Sequence, residues 1–176
     1  MKRIMLLDDE ENVLHSLQRG LRDISKQYEL VFELFTVPAE AIKRLTEAQF
    51  SVVISDYHMP SMSGVDFLKF AKQIQPDVIR MMLSASADFN TLLEAINQAE
   101  VFRYIEKPWN IDDLNDIVRL ALVQYDTNLA ERELADETRL QNNQITPQQL
   151  EAQRLELEEP GITKVNWGAD GSISLD

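Results

Sequence analysis

The sequence predicts an α/β fold in which a doubly wound, five-stranded parallel sheet carries helices on both faces. Five short apolar runs, rich in branched residues, alternate with five segments of helical periodicity over about the first 120 residues. Such alternation is typical of βαβ units, which place the strands in parallel and cover both faces of the sheet. Hydrophobic residues make up 44% of the 176-residue chain. That fraction is enough to fill a hydrophobic core. The length suits one domain of ordinary size with an appendage.

The first half of the alternation contains three of the five predicted strands. RIMLLD (3–8) predicts the first strand, and apolar side chains then recur every three or four residues over 12–25, which predicts a helix. LVFELF (30–35) predicts the second strand. Pro38 begins the next helical stretch, because proline is well tolerated in the first turn of a helix. SVVISD (51–56) predicts the third strand.

The second half repeats the pattern twice. A helix over 65–74 is ended by Pro76, which cannot continue a helix without losing a backbone hydrogen bond. VIRMMLS (78–84) predicts the fourth strand, residues 88–98 a helix, and VFRYIE (101–106) the fifth strand. No internal repeat interrupts this alternation.

Beyond the fifth strand the chain is predicted to be mostly helical. After a Lys-Pro-Trp turn a helix covers 111–125, and its composition stays helical as far as Gln141. A polar break then precedes a second helix that starts at Pro147. The last residues alternate around GADG, a hairpin pattern in which Trp167 is the expected anchor. We therefore divide the chain into a domain at 1–125, a helical extension at 126–159 and a β-hairpin tail at 160–176.

One apolar stripe of the long helix has the 4-3-4 spacing of a coiled-coil seam. It spans about two heptads, which is shorter than the ~3–4 heptads that identify a coiled coil safely. We expect the seam to face outward and to mediate a homodimer. The alternative is that the second helix and the hairpin fold back, so that Trp167 covers the seam within one chain. The seam consists of Val118, Leu122, Tyr125 and Leu129.

Composition excludes several classes of partner. The net charge of −13 opposes nonspecific attraction to nucleic acid or to an anionic membrane. No apolar run approaches the ~20 residues that a membrane helix needs. The tail is acidic and offers no basic helix pair for a DNA-binding output. The absence of cysteine fits a reducing compartment, so we expect a cytoplasmic protein without nucleic-acid or membrane partners.

Polar residues stand at the carboxyl ends of four of the predicted strands. They are Asp8 and Asp9 at the first strand, Asp56 at the third, Ser84 at the fourth and Lys107 after the fifth. In open parallel sheets the ligand site forms outside the carboxyl ends of the strands. We therefore expect three carboxylates, a hydroxyl and an ammonium group to converge on one edge of the sheet.

The chemistry of this edge suits a divalent cation. Carboxylates held close together repel and raise one another's pKa, which a hard cation would relieve. Mg²⁺ typically binds through one or two carboxylates, with waters and phosphate oxygens completing its shell. After Asp56 the chain must turn at once. Pro60 is expected to end the strand, and Gly64 to permit a tight path into the next helix.

Four segments together resemble a known family. LLDDE, SDYHMPSMSG, LSAS and YIEKPW, in this order and spacing, are similar to the receiver domain of bacterial two-component response regulators, the CheY-like fold. The resemblance covers roughly residues 1–125. It implies the sheet order 2-1-3-4-5 and a role in phosphorelay signal transduction. The implied partners are a sensor histidine kinase or phosphotransfer protein and a downstream protein target.

The resemblance also implies roles for the residues at the sheet edge. Asp56 would be the phosphoacceptor, which attacks a phosphohistidine to form an acyl phosphate. Asp9, Asp56 and the backbone carbonyl of His58 would ligate Mg²⁺, and Asp8 would act largely through water. Lys107 would pair with a phosphoryl oxygen. The chain would thus assist its own phosphorylation and dephosphorylation without being a typical enzyme.

Two further residues are expected to carry the signal. Ser84 would hydrogen-bond the phosphoryl group, and Tyr104 matches the aromatic residue that turns inward when Ser84 moves. Ala85 is small, as expected where access to the acceptor stays open. Phosphoryl transfer depends on charge neutralisation and positioning, which these residue types supply.

Two other functions compete with this reading. A degenerate receiver would serve as a scaffold without phosphorylation, and the intact acidic, serine and lysine positions count against it. A haloacid-dehalogenase-like phosphatase would also use an aspartyl phosphate. That class has a second acid two residues after its nucleophile, where this sequence has His58.

Overall fold

The five strands form one parallel sheet in the order β2-β1-β3-β4-β5. The computed structural model describes residues 1–85, 97–142 and 144–158. The strands are β1 (Lys2–Leu7), β2 (Leu30–Phe35), β3 (Val52–Asp56), β4 (Ile79–Ser84) and β5 (Arg103–Glu106). All four strand pairs are parallel, and β1 lies between β2 and β3. The predicted fold class and strand order are confirmed.

Six helices lie wholly within the described residues. They are α1 (Glu11–Gly20), α2 (Arg22–Tyr28), α3 (Pro38–Leu45), α4 (Gly64–Ile74), α5 (Ile111–Gln141) and α6 (Pro147–Glu158). Pro38 is the first residue of α3, as predicted. The predicted helix at 88–98 falls mostly on residues 86–96, outside the described residues, and 97–99 are helical. The predicted hairpin at 160–176 also lies outside them.

The single helix predicted over 12–25 is wrong, because the chain forms two helices that meet at Leu21. Leu21 leaves the helical conformation with a ψ of 10° and caps both helices. Glycine weakens a helix by up to ~1 kcal/mol relative to alanine, and Gly20 stands directly before the break. Leu21 at the break and Ile24 beyond it are both buried in the core.

Two apolar clusters cover the two faces of the sheet. Ile4 and Leu6 of β1 point into the cluster shared with α1, α2 and α5. Met5 and Leu7 point into the opposite cluster, which α3 and α4 complete. Alternate residues of one strand thus serve two cores, which explains why the central strands are apolar throughout.

The long helix α5 runs without a break past residue 125, so the proposed domain boundary lies inside one helix. Its predicted seam does not face outward. Val118 and Leu122 are fully buried against the sheet, and Tyr125 packs on the same cluster. The 4-3-4 spacing therefore marks the side of α5 that covers its own domain. The prediction of an outward seam is wrong because the sheet-facing stripe of one helix has the same periodicity as a coiled coil.

The opposite side of α5 carries a different apolar stripe. Leu120, Val123 and Leu134 are 51%, 54% and 65% exposed. With the exposed residues Thr127 and Ala130 they follow a 3-4-3-4 spacing. We call these five residues the outer stripe.

The extension of α5 is tied to the amino-terminal edge of the sheet. Lys2 and Asp126 form an ion pair of 2.6 Å, and Arg132 pairs with Asp77, which precedes β4. These contacts join the extension to the edge opposite Asp56. Within the described ranges, no helix is both long and apolar enough to cross a membrane.

Candidate functional site

Asp56 is the last residue of β3 and lies recessed in the carboxyl edge of the sheet. It is only 5% exposed. Its Oδ2 accepts a hydrogen bond from the His58 N–H at 2.7 Å. The Ser55 hydroxyl donates to the Asp56 carbonyl at 3.0 Å, and the Tyr57 N–H donates to the Leu83 carbonyl at 2.8 Å. The carboxylate is thus held by its own backbone turn and by the neighbouring strand.

Lys107 joins residues from three strands of the edge. Its Nζ lies 2.5 Å from Asp56 Oδ1 and 2.7 Å from Asp8 Oδ2. The backbone N–H of Lys107 donates to the carbonyl of Ser84 at 2.9 Å. This bond fixes the backbone that carries the ammonium group. The structure therefore brings Asp8, Asp56 and Lys107 together, although Asp8 and Lys107 are 99 residues apart.

Burial and charge perturb two members of this cluster. Burial raises the pKa of Asp8, and the nearby Asp56 charge adds to this effect. The Lys107 and Glu10 hydrogen bonds only partly oppose it. Burial alone would lower the pKa of Lys107, but its hydrogen bonds to Asp56 and Asp8 outweigh that effect and raise the pKa. Lys107 is therefore an ammonium ion throughout the physiological range.

Asp8 and Asp9 differ sharply in environment. Asp8 is fully buried, and its Oδ1 accepts the Glu10 N–H at 2.9 Å. Asp9 is exposed and makes no hydrogen bond or ion pair within the described residues. The neighbouring positions thus offer one carboxylate engaged inside the edge and one open to solvent.

The two predicted switch residues are in contact with each other. Ser84 is buried at the end of β4, and its carbonyl accepts a hydrogen bond from the Tyr104 hydroxyl at 3.0 Å. Tyr104 is half-buried. Lys107 donates to the same carbonyl. Ala85 follows and is exposed.

The turn after Asp56 depends on a missing side chain at Gly64. A Cβ at Gly64 would lie 2.1 Å from the backbone oxygen of Asp56 and 2.9 Å from its carbonyl carbon. The Gly64 N–H donates to the Tyr57 carbonyl at 2.9 Å. Ser63 caps α4 by accepting the Asp66 N–H. Gly64 therefore allows a close backbone approach, as the sequence predicts.

His58 lies at the solvent face of this turn. Its side chain is exposed, and its ring contacts the Tyr57 ring edge-on at a centroid distance of 4.4 Å. Its backbone contacts Asp56, as described above.

The oxygen donors at this edge fit Mg²⁺ in chemistry and number. No group of three or more acidic or histidine side chains in residues 1–85, 97–142 and 144–158 is arranged to hold a metal ion. Mg²⁺ requires fewer, because it keeps several waters and needs only one or two carboxylates. Asp56 and the exposed Asp9 would be those carboxylates.

The contact between Lys107 and Asp8 is the part of the site that sequence reasoning missed. The family resemblance predicts a phosphoryl oxygen as the partner of Lys107. In the structure its ammonium group pairs with the carboxylates of Asp8 and Asp56. The available signal was electrostatic, because a single lysine that converges with buried carboxylates must pair with them.

Residues 4–119 match the family profile described as the response regulator receiver domain. The chain belongs to the response regulator receiver domain family. This confirms the resemblance drawn from the four sequence segments. The family is one of signalling domains and not a typical enzyme family.

Relatives of this receiver domain differ in length. The chain is 30% identical over 125 residues to the response regulator receiver protein CpdR of Brucella abortus, covering 69% of this chain and 98% of that protein. It is 32% identical over 121 residues to the hydrogenase transcriptional regulatory protein HoxA of Cupriavidus necator, covering 68% of this chain. That match spans only 24% of HoxA, so the chain is similar to about a quarter of that regulator.

A solved receiver domain has the same fold. The solution structure of the beryllofluoride-activated NtrC4 receiver domain dimer superposes with a TM-score of 0.64 at 27% identity. It covers 71% of this chain and 99% of that one. The chain is therefore a receiver domain of the two-component response regulator class, followed by further helical residues.

Proposed function

We propose that this receiver domain accepts a phosphoryl group on Asp56 from the phosphohistidine of a sensor kinase or phosphotransfer protein, in a Mg²⁺-dependent reaction. The observation that carries the proposal is the recessed Asp56 carboxylate with the Lys107 ammonium group 2.5 Å from one of its oxygens. The chain then signals by a change of conformation and by contact with another protein. Its expected location is the cytoplasm.

The reaction needs positioning and positive charge more than covalent help. An oxygen of Asp56 attacks phosphorus as the P–N bond to the donor imidazole breaks. The imidazole nitrogen keeps the electron pair and leaves neutral when its other ring nitrogen carries a proton. Asp9, Asp56 and the His58 carbonyl would hold Mg²⁺, with Asp8 acting through water. When bound, the cation neutralises charge on the transferred oxygens.

Lys107 supports both the resting and the phosphorylated state. Its contacts with Asp8 and Asp56 offset carboxylate repulsion before transfer. After transfer its ammonium group can pair with a phosphoryl oxygen. Its backbone bond to Ser84 links that movement to the carbonyl that also accepts the Tyr104 hydroxyl. Ser84 and Tyr104 are therefore the proposed route of the signal.

Fluoroberyllate binding tests this proposal directly, because the compound mimics an acyl phosphate only on a competent carboxylate. We expect ¹⁹F resonances of protein-bound fluoroberyllate with Mg²⁺ present and their loss on chelation. Asp9→Ala should weaken Mg²⁺ binding at least about tenfold and remove the bound signal, since few protein ligands hold the ion. Unchanged Mg²⁺ affinity in Asp9→Ala would place the metal site elsewhere.

Lys107→Ala should separate metal binding from signalling. We expect Mg²⁺ to bind at least as tightly as in wild type, because removing one positive charge from the edge favours a cation. Fluoroberyllate should then produce no shift of the Tyr104 resonances, because the variant lacks the ammonium group that would couple the phosphoryl mimic to the Lys107 backbone. Full Tyr104 shifts in this variant would remove Lys107 from the switch. Titration calorimetry and NMR on the same samples give both readouts.

Two alternatives make different predictions in these experiments. A degenerate scaffold would bind no fluoroberyllate, although its fold would be intact. A haloacid-dehalogenase-like phosphatase would hydrolyse phosphate esters. That class has a second acid two residues after its nucleophile, and this chain has His58 at that position. The direct contacts among Asp8, Asp56 and Lys107 favour the phosphoacceptor over both.

A homodimer through the outer stripe is the proposed oligomeric form. The exposed Leu120, Val123 and Leu134 on one side of α5 support it, and the similar NtrC4 receiver structure is a dimer. We expect the triple variant Leu120→Gln, Val123→Gln, Leu134→Gln to raise the dimer dissociation constant more than about tenfold, because burying such side chains contributes roughly 1.5–3 kcal/mol each. Leu155→Gln on α6 is the matched control. A wild-type chain that sediments as a monomer with and without fluoroberyllate would contradict the dimer.

A further inference from the structure

A cleft lies between α5, α6 and the amino-terminal edge of the sheet. Its volume is about 430 Å³, many times the ~30 Å³ that one water molecule takes up in the liquid. Gln49 and Asp77 line it from the loops that precede β3 and β4, and the other lining residues belong to the two helices. We call it the amino-edge cleft. It lies at the edge opposite Asp56, so the phosphorylation chemistry proposed above leaves it unused.

The apolar part of the amino-edge cleft comes from both helices. Tyr125 and Leu129 of α5 and Leu157 of α6 line it, and all three are half-buried. α6 is 12 residues long, and Leu150 is its buried residue. Helices of this length are marginal in water without tertiary packing. The cleft lies beside the last turn of α6, where an occupant would add the packing that Leu150 alone does not supply.

The charged part of the cleft has an excess of carboxylates. Four acidic and two basic side chains line it, and Arg132 is already paired with Asp77. The six are Asp77, Arg132, Glu133, Asp136, Arg154 and Glu158. An excess of negative charge disfavours a phosphate or a nucleic acid and favours an occupant with a positive charge. The lining therefore fits an apolar segment that carries a cation.

Such a segment follows α6 directly in the sequence. Glu158 lines the cleft and is the last residue that the structure describes. Pro160 and Gly161 come next, and this dipeptide typically marks a turn. The segment ITKVNW (162–167) then contains three large apolar residues, one lysine and no acid. Its charge and its apolar content are thus complementary to the lining, and Trp167 is its largest side chain.

The length of chain after Glu158 suits an intramolecular contact. A chain spans at most ~3.3–3.6 Å per residue, so the nine residues from Glu158 to Trp167 reach up to about 30 Å. This exceeds the length of α6, which is about 18 Å at ~1.5 Å per residue. A short tether also gives an effective concentration in the mM range, which a second copy or a foreign protein rarely reaches.

We infer that the amino-edge cleft is the docking site of the chain's own segment 162–167, with Trp167 as its apolar anchor. The tail then folds back, as one of the two sequence-based alternatives expects, but onto the cleft. Of the predicted seam only Tyr125 and Leu129 take part, because the sheet covers the rest. A second copy of the chain and a foreign protein are the other occupants that the experiment separates.

Tryptophan fluorescence of the full chain tests the docking. The chain has two tryptophans, so Trp109→Phe leaves Trp167 as the one reporter. At an effective concentration of ~1 mM, a contact with a dissociation constant of about 0.1 mM is formed in roughly nine-tenths of the molecules. We therefore expect acrylamide to quench Trp167 with a constant about fivefold or more below that of the free peptide 159–176, and the emission of Trp167 to be blue-shifted relative to that peptide.

Variants of the lining locate the contact. In the Trp109→Phe background, Leu129→Gln should raise the quenching constant about threefold or more, because it removes an apolar wall of the cleft. Leu157→Gln should act in the same direction from the other helix, and circular dichroism shows that each variant is folded. Leu155→Gln is the matched control, since Leu155 is 39% exposed on α6 and does not line the cleft. It should leave the constant unchanged.

Three results would overturn the inference. Quenching of Trp167 as strong as in the free peptide would leave the cleft to a foreign protein. Protection that disappears on roughly a hundredfold dilution would show that a second copy supplies the segment. Protection that survives both Leu129→Gln and Leu157→Gln in folded variants would place Trp167 elsewhere on the domain.

Discussion

Asp56→Asn is expected to abolish labelling of the chain by acetyl phosphate in the presence of Mg²⁺. An amide oxygen is not a nucleophile of comparable strength, and the amide carries no negative charge to hold the cation. The structure indicates that the variant still folds, because the asparagine oxygen can accept the His58 N–H as Asp56 does at 2.7 Å. Intact mass after reaction measures the labelled fraction, and circular dichroism checks the fold.

The matched control is Asp112→Asn, an exposed carboxylate in the first turn of α5. It should be labelled like wild type. Full labelling of Asp56→Asn at another residue would refute the assignment of the phosphoacceptor. The Lys107 contact is informative here too, because Lys107 loses one of its two carboxylate partners in the variant.

Gly64→Ala is expected to destabilise the domain and, at the same time, to displace the backbone of Asp56. The new Cβ would lie 2.1 Å from the Asp56 backbone oxygen, and a backbone atom on a buried strand cannot swing away as a flexible side chain can. Overpacking of this kind typically costs ~1–3 kcal/mol and sometimes more. We expect about 3 kcal/mol or more, a large part of the ~5–15 kcal/mol by which domains are stable. Urea unfolding measures it.

Gly20→Ala provides a control with the opposite sign. A Cβ at Gly20 would meet Leu114 and Trp109 at 3.4 and 3.7 Å, which are ordinary contacts. Gly20 ends α1, where alanine is the better helix former, so we expect a change between zero and about 1 kcal/mol of stabilisation. A Gly64→Ala variant as stable as wild type would show that the turn does not need the close approach.

The sheet and the main site were predictable because their signals are local. Each strand is an unbroken apolar run, and topology then brings the strand ends together. Asp56 could be placed from SVVISD alone, and Lys107 from its position after the fifth strand. The identity of the family required the four segments in combination, because a single aspartate after a strand also suits a simple turn.

The features that escaped prediction depend on tertiary contacts. The spacing of Val118, Leu122 and Tyr125 is the same for a sheet-facing stripe and for a coiled coil. Periodicity therefore does not show whether the stripe faces the sheet or the solvent. The break at Leu21 is hidden in the sequence pattern, because Leu17, Leu21 and Ile24 keep the 4-3 spacing of one continuous helix face. The bridge from Lys107 to Asp8 depends on burial of Asp8, which appears only once β1 lies beside β3.

Identification of the labelled residue in the wild-type chain tests the central claim most directly. After reaction with acetyl phosphate and Mg²⁺, borohydride reduction converts an aspartyl phosphate to homoserine, which peptide mass spectrometry locates. We predict homoserine at position 56 alone, and none when Mg²⁺ is chelated. Homoserine at Asp8, Asp9 or another carboxylate, or none with Mg²⁺ present, would contradict the account.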